Sequence, residues 1–303
     1  MLLVRGRSGV SALTHLELQE LALLYRQTAA DLSAAREYAA NAQLAAYLNQ
    51  LLGRAHNLVY AARPARTRNA LTFYARTFPR IFRETWRYTA AATVLFAIGA
   101  IAGIVLSMSD PGFLRFVLGG GMIDTIDRRE MWTHSILSVK PLASSAILTN
   151  NLSVAFSAFA LGMLAGVGTT YIMLFNGIMI GVIGTACHRA GMSVPLWSFV
   201  APHGALELPA IFIAGGAGLL LGRGILAPGS LPRRDALAES GAAAIRLLLG
   251  VIPLLIIAGI IEGFISPTPI EPAAKFVIGA ALFILLGLYV GFGAKRQEAS
   301  GSM

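Results

Sequence analysis

Charge is scarce in this chain of 303 residues: Asp, Glu, Lys and Arg make up 13% of it. A soluble domain carries about 25%. So little charge cannot cover a water-facing surface, which excludes a purely soluble globular protein. Disorder is excluded too, because 56% of the residues are hydrophobic and mean hydropathy is +0.67. Cysteine occurs once, at Cys187, so no disulfide can form within the chain. Lysine occurs three times, at Lys140, Lys275 and Lys295. The first ten residues lack the apolar run of a cleavable signal. The Gly119-Gly120-Gly121 run has no Lys-Ser/Thr after it, so it is no phosphate-cradling loop, and no serine sits in a nucleophile elbow.

What the sequence has is long apolar runs. A spanning helix needs about 20 apolar residues. Residues 88–109 carry no charge and give a first span. The uncharged stretch 141–187 is too long for one span and predicts two, near 147–168 and 171–188, with the turn at Gly166-Val167-Gly168-Thr169-Thr170. A fourth span ends near Gly222, a fifth covers 247–266 and a sixth covers 276–292. The expected fold is therefore all-α, a polytopic membrane helix bundle of about six transmembrane helices.

Basic residues set the orientation. With six spans, one side holds 18 Lys and Arg and the other 6. Both termini are expected in the cytoplasm of a bacterium, with the bundle in its inner membrane. Residues 1–87 hold 12 of the 24 basic residues, which suits the anionic leaflet of the bilayer. No nucleic-acid partner is expected, since no reading motif accompanies the charge.

The amino-terminal region predicts a cytoplasmic helical pair over 1–68. Thr14 and Glu17 have capping-box spacing, and Leu21, Leu24, Thr28 and Leu32 continue one face. A second helix over 41–62 places Leu44, Leu48, Leu51, Ala55 and Leu58 together and stops at Pro64. Residues 69–87 differ. Arg76, Arg80, Arg83 and Arg87 form one helical stripe, while Phe78, Ile81, Phe82 and Trp86 lie off it. That pattern predicts an amphipathic helix in the membrane interface, with Arg76, Arg80, Arg83, Trp86 and Arg87 at the lipid surface. An ordinary helix of a cytoplasmic bundle is the competing reading. The spans are assigned to 88–293 and a cytoplasmic tail to 294–303.

Two acids lie inside spans, Glu207 and Glu262. An intramembrane carboxylate is costly and marks a candidate site. His203 precedes Glu207 by one turn and shares its helix face. Pro202 and Pro209 flank the pair and argue against a straight helix. Span directions put Asn150, Asn151, His203, Glu207 and Glu262 at similar depth, so one buried polar cluster is expected. A structural role is favoured over a proton or ion path, and either over a metal or catalytic site. Intramembrane zinc proteases need two histidines a turn apart, and His203 has no second one nearby. No catalytic residue, metal or cofactor is expected.

Glycine pairs four apart occur in every predicted span: 99/103, 162/166, 177/181, 218/222, 259/263 and 287/291. Such pairs let helices approach closely, and six of them suggest a homodimer face as well as a tight bundle.

The run Pro202-His203-Gly204-Ala205-Leu206-Glu207-Leu208-Pro209-Ala210, with Ile213-Ala214-Gly215 and Gly218 after it, resembles the signature of the stage II sporulation protein M family. Asn150-Asn151 with Phe156, Gly162 and Gly166, Asn176-Gly177, and Glu262-Gly263-Phe264-Ile265-Ser266-Pro267 are also similar to it. The resemblance implies an integral membrane protein without known catalysis. It also implies partners, either peptidoglycan-degrading envelope hydrolases or a MoxR-type ATPase with von Willebrand factor A-like proteins. The expected function is a non-enzymatic membrane scaffold that recruits partners, with cell-envelope (peptidoglycan) remodelling as the process the resemblance implies. The alternative is a transporter or channel using Glu207 and Glu262.

Overall fold

A computed structural model describes residues 14–36, 42–60, 67–131, 140–230 and 232–293. The expected tail at 294–303 and the helix stop at Pro64 lie outside these residues, and the side chain of Leu58 is not among those described. The described residues are helical, with no strand among them. The chain divides into two compact units, Met1–Leu71 and Thr72–Met303.

The first unit pairs helix α1 (His15–Arg36) with α2 (Ala42–Tyr60). The capping box forms as expected. The Thr14 amide donates to Glu17 Oε2 at 2.8 Å, and the Glu17 amide donates to Thr14 Oγ1 at 3.3 Å. Leu21, Leu32, Ala35 and Ala55 are buried, and Arg36 donates to Asn49 Oδ1 across the pair. Leu24 and Leu44, expected on the apolar faces, are exposed. The division between the units falls between Leu71 and Thr72.

Helix α3 (Thr67–Thr72), a π-helical segment (Phe73–Thr77) and α4 (Phe78–Ser109) follow one another directly. The Phe78 amide reaches back five residues to the Phe73 carbonyl, and Pro79 then has no amide to offer. The missing donor explains the widened turn. The stretch expected as a separate interfacial helix thus continues straight into the first span. It is also tied into the bundle. Phe78 and Ile81 are buried in the core, and Tyr74 donates to the Leu249 carbonyl.

Two short helices come next, α5 (Pro111–Leu118) and α6 (Gly120–Asp127). Asp110 caps α5 by accepting from the Gly112 amide at 2.8 Å. Two ion pairs form here, Arg115 with Asp124 at 3.0 Å and Arg128 with Glu130 at 3.2 Å. Leu114, Ile123 and Ile126 pack with Val182, Cys187, Leu196 and Phe199 into a separate apolar cluster.

The remaining helices are α7 (Lys140–Ala160), α8 (Val167–Arg189), α9 (Ser193–Leu226), α10 (Arg233–Phe264) and α11 (Pro272–Phe292). Among the described residues, five helices are long and apolar enough to span a membrane: the Ala70–Ser109 run, α8, α9, α10 and α11. Helix α7, which carries much of the second predicted span, is not among them, and Thr149, Asn150, Asn151 and Ser153 dilute it. The reversal after α7 comes earlier than expected. A 3-10 turn (Leu161–Met163) ends the helix, Ala165 and Gly166 adopt positive φ of 54° and 80°, and Thr169 and Thr170 already belong to α8.

Helix α9 is the hub. It packs against α4, α7, α8, α10 and α11, and it runs through Pro202 and Pro209 as one 34-residue helix. That is about 50 Å at 1.5 Å per residue, well beyond a hydrocarbon core of about 30 Å.

Four of the glycine pairs, 99/103, 162/166, 177/181 and 218/222, close on other segments of the same chain. Gly99 and Gly103 of α4 lie against the Leu174 and Ile178 backbone of α8, while Gly177 and Gly181 of α8 lie against Phe96 and Ala100 of α4. Gly162 and Gly218 meet across the α7–α9 contact. Gly287 and Gly291 face open space.

Candidate functional site

The site stands where α10 ends and α11 begins, against the first half of α9. Helix α10 stops at Phe264, and Pro267 and Pro269 prevent its resumption. The Ser266 amide turns back to the Ile261 carbonyl at 2.9 Å, which tucks Ser266 under the helix end. Pro272 then opens α11 and places Lys275 in its first turn.

His203 and Glu207 project from neighbouring turns of α9, and Glu262 faces them from the last turn of α10. His203 is 5% exposed and Glu262 8%. One ligating atom from each of the three lies within 4.8 Å of the other two. His203 Nε2 stands 3.8 Å from Glu262 Oε1, and its Nδ1 meets Ser266 Oγ at 2.9 Å. The Phe199 ring meets the imidazole edge-on at 5.4 Å between centroids. Glu207 Oε2 and Glu262 Oε2 are buried without a hydrogen-bond partner.

Two members escaped the sequence reading. Ser266 is fully enclosed and bonds the histidine. Lys275 is buried and donates to the Ser266 carbonyl at 2.7 Å. Its signal was a rare lysine four residues into an apolar helix.

Asn150 and Asn151 do not share this network. Asn150 Nδ2 donates to Asn151 Oδ1 at 3.2 Å, Asn150 is exposed, and the orphaned carboxylate oxygens accept nothing from either.

The arginine stripe is split. Arg76, Arg80 and Arg87 are exposed, as is Trp86 at 54%. Arg80 pairs with Glu84 at 3.8 Å. Arg83 instead turns inward and donates to the carbonyls of Val290 at 3.0 Å and Gly293 at 2.7 Å, closing the carboxyl end of α11. A charged donor there satisfies carbonyls that the helix leaves open. Arg83→Ala is expected to cost about 2 kcal/mol and to raise amide exchange at the end of α11. Wild-type exchange there would show that the two bonds carry no weight.

Comparison with known proteins follows the two-unit division. Residues 2–61 match the model of a domain of unknown function, DUF8413. Residues 92–267 match the model of stage II sporulation protein M. No curated protein and no solved structure matches the chain. The second match covers more than half of the chain and takes in His203, Glu207, Glu262 and Ser266, though it stops short of Lys275. With the glycine seam between α4 and α8, the central proline-containing helix, and Glu207 and Glu262 inside that match, the chain belongs to the stage II sporulation protein M family.

Proposed function

We propose that this membrane protein is a non-enzymatic scaffold of the bacterial inner membrane, both termini cytoplasmic, which recruits a partner through its membrane-embedded surface. One observation carries the reading. An open groove of about 720 Å³ runs between α4, α9 and α11. Its floor is small, with Ala201, Gly204, Gly279 and Gly287, and Phe82 and Phe283 form walls. Small residues permit close helix approach where water supplies no driving force, so the groove suits an apolar transmembrane helix of a partner. Envelope hydrolases and MoxR-type ATPase assemblies are the partner classes that the family resemblance suggested.

The core speaks for scaffolding over transport. From the acidic cluster toward the far end of α9, its seam with α10 is built of Ala210, Ala214, Ala217, Leu247, Val251 and Leu255. A proton or ion leaving Glu207 that way would meet hydrocarbon.

A photo-crosslinker at Ala280 in native membranes is expected to give one discrete protein adduct. Gly287→Leu should abolish it, because the new side chain enters open space and fills the groove without disturbing the fold. Labelling confined to lipid would overturn the reading, as would proton or cation flux into liposomes above the protein-free leak.

A further inference from the structure

We propose that His203, Glu207 and Glu262 form a binding site for one divalent transition-metal ion of the zinc class. The three side chains come from two helices and converge on one point, with ligating atoms within 4.8 Å of one another. Helix α9 carries no second histidine beside His203. The third ligand comes instead from α10.

Three features favour an ion over a directly bonded trio. First, His203 Nε2 and Glu262 Oε1 face each other at 3.8 Å, too far for a hydrogen bond. Two ligands of one zinc ion, at bond lengths of about 2.0–2.2 Å, stand about 3.4 Å apart in a tetrahedron. Small side-chain rotations close that difference. Second, each carboxylate keeps a buried oxygen without a partner, Glu207 Oε2 and Glu262 Oε2, and Glu262 is more than nine-tenths enclosed. Oxygens so placed normally find a donor or a cation. Third, the imidazole is already oriented. Ser266 Oγ engages Nδ1 at 2.9 Å, which leaves Nε2 to the ion. Metal-bound histidines have such a partner on the other nitrogen. Lys275 holds the Ser266 carbonyl, so the ammonium supports the orienting residue.

Ligand chemistry selects the ion. One imidazole with two carboxylates suits zinc or manganese, whereas calcium and magnesium favour all-oxygen sets. Water would complete the coordination. The site tethers α9 to α10, and this role goes beyond partner recruitment without depending on the groove.

The test uses the full chain in lipid nanodiscs, purified without a polyhistidine tag and stripped with chelator. Reloading with zinc is expected to leave about one equivalent per chain after dialysis. Glu207→Gln, nearly isosteric, should fold as judged by elution and lose the retained zinc. Ser266→Ala should weaken binding by about 10–100-fold, because the orienting bond is lost while the ligands remain. Cobalt loading should give visible ligand-field bands in the wild type that His203→Ala lacks. Equal zinc retention by wild type and Glu207→Gln would overturn the site. No retention by the wild type would also do so, leaving a proton between the carboxyl groups. Retention of magnesium in preference to zinc would overturn the ion assignment.

Discussion

Gly177→Leu is expected to separate α4 from α8 and to lose the folded bundle, with a stability loss above about 3 kcal/mol. The size follows from what the new atoms would meet. A Cβ on Gly177 would lie 2.9 Å from the Ala100 amide nitrogen and closer still to the Phe96 carbonyl. Backbone cannot rotate aside as a side chain can. Gly99, Gly103 and Gly181 make the reciprocal contacts along the same seam, so the helices would have to part along its length. Dispersion between closely packed helices supplies much of the association energy in lipid, and it falls steeply with distance. Thermal retention of the monodisperse species in detergent is the measurement. A midpoint equal to that of the wild type would refute the seam, and Gly287→Leu, in open space, is the matched control.

The second large effect is expected at Phe78. Its ring is fully buried, occupies the space left by Gly250 of α10, and stands 6.1 Å from the Tyr289 ring of α11. Tyr289 in turn donates its hydroxyl to the Tyr74 carbonyl at 2.6 Å. Phe78→Ala would leave a cavity that three elements border. The cost is expected at about 3 kcal/mol, the lower end for such truncations, because a ring released into lipid loses packing but meets little water. Gly250→Ala approaches the same contact from the other side and should also destabilise, since its methyl would collide with the ring. A Phe78→Ala midpoint within error of the wild type would place this segment outside the core.

The helices and their apolar runs were legible because span length and hydropathy are local properties. The Thr14 and Glu17 cap was legible for the same reason, since both partners lie within one turn. The convergence of His203, Glu207 and Glu262 was also readable, from cost: an acid in hydrocarbon has to be placed against something polar. What chain direction alone could not give was rotation about each helix axis. Asn150 is exposed, while Lys275 is buried against the Ser266 carbonyl. The arginine stripe shows the same limit. Its spacing is truly helical, yet Arg83 serves the carbonyls of α11, because the helix bearing it packs on the bundle through Phe78 and Ile81. Pro79 gave no clear sequence signal of a π-helical turn, since its effect depends on which carbonyl the preceding amide selects.

The central position of α9 has a consequence for how the protein is made. The ribosome delivers α4, α7 and α8 before α9, and α10 and α11 after it. The glycine seam between α4 and α8 therefore has both halves available before the hub exists. His203 and Glu207 then arrive in the membrane while Glu262, Ser266 and Lys275 are still to be synthesised. For that interval the histidine and the acid have none of their final partners on α10 and α11. Closure of the polar cluster is thus a late step of biogenesis, completed by the last helical hairpin, and a nascent chain that stalls before it would carry an uncompensated carboxyl group on its most central helix.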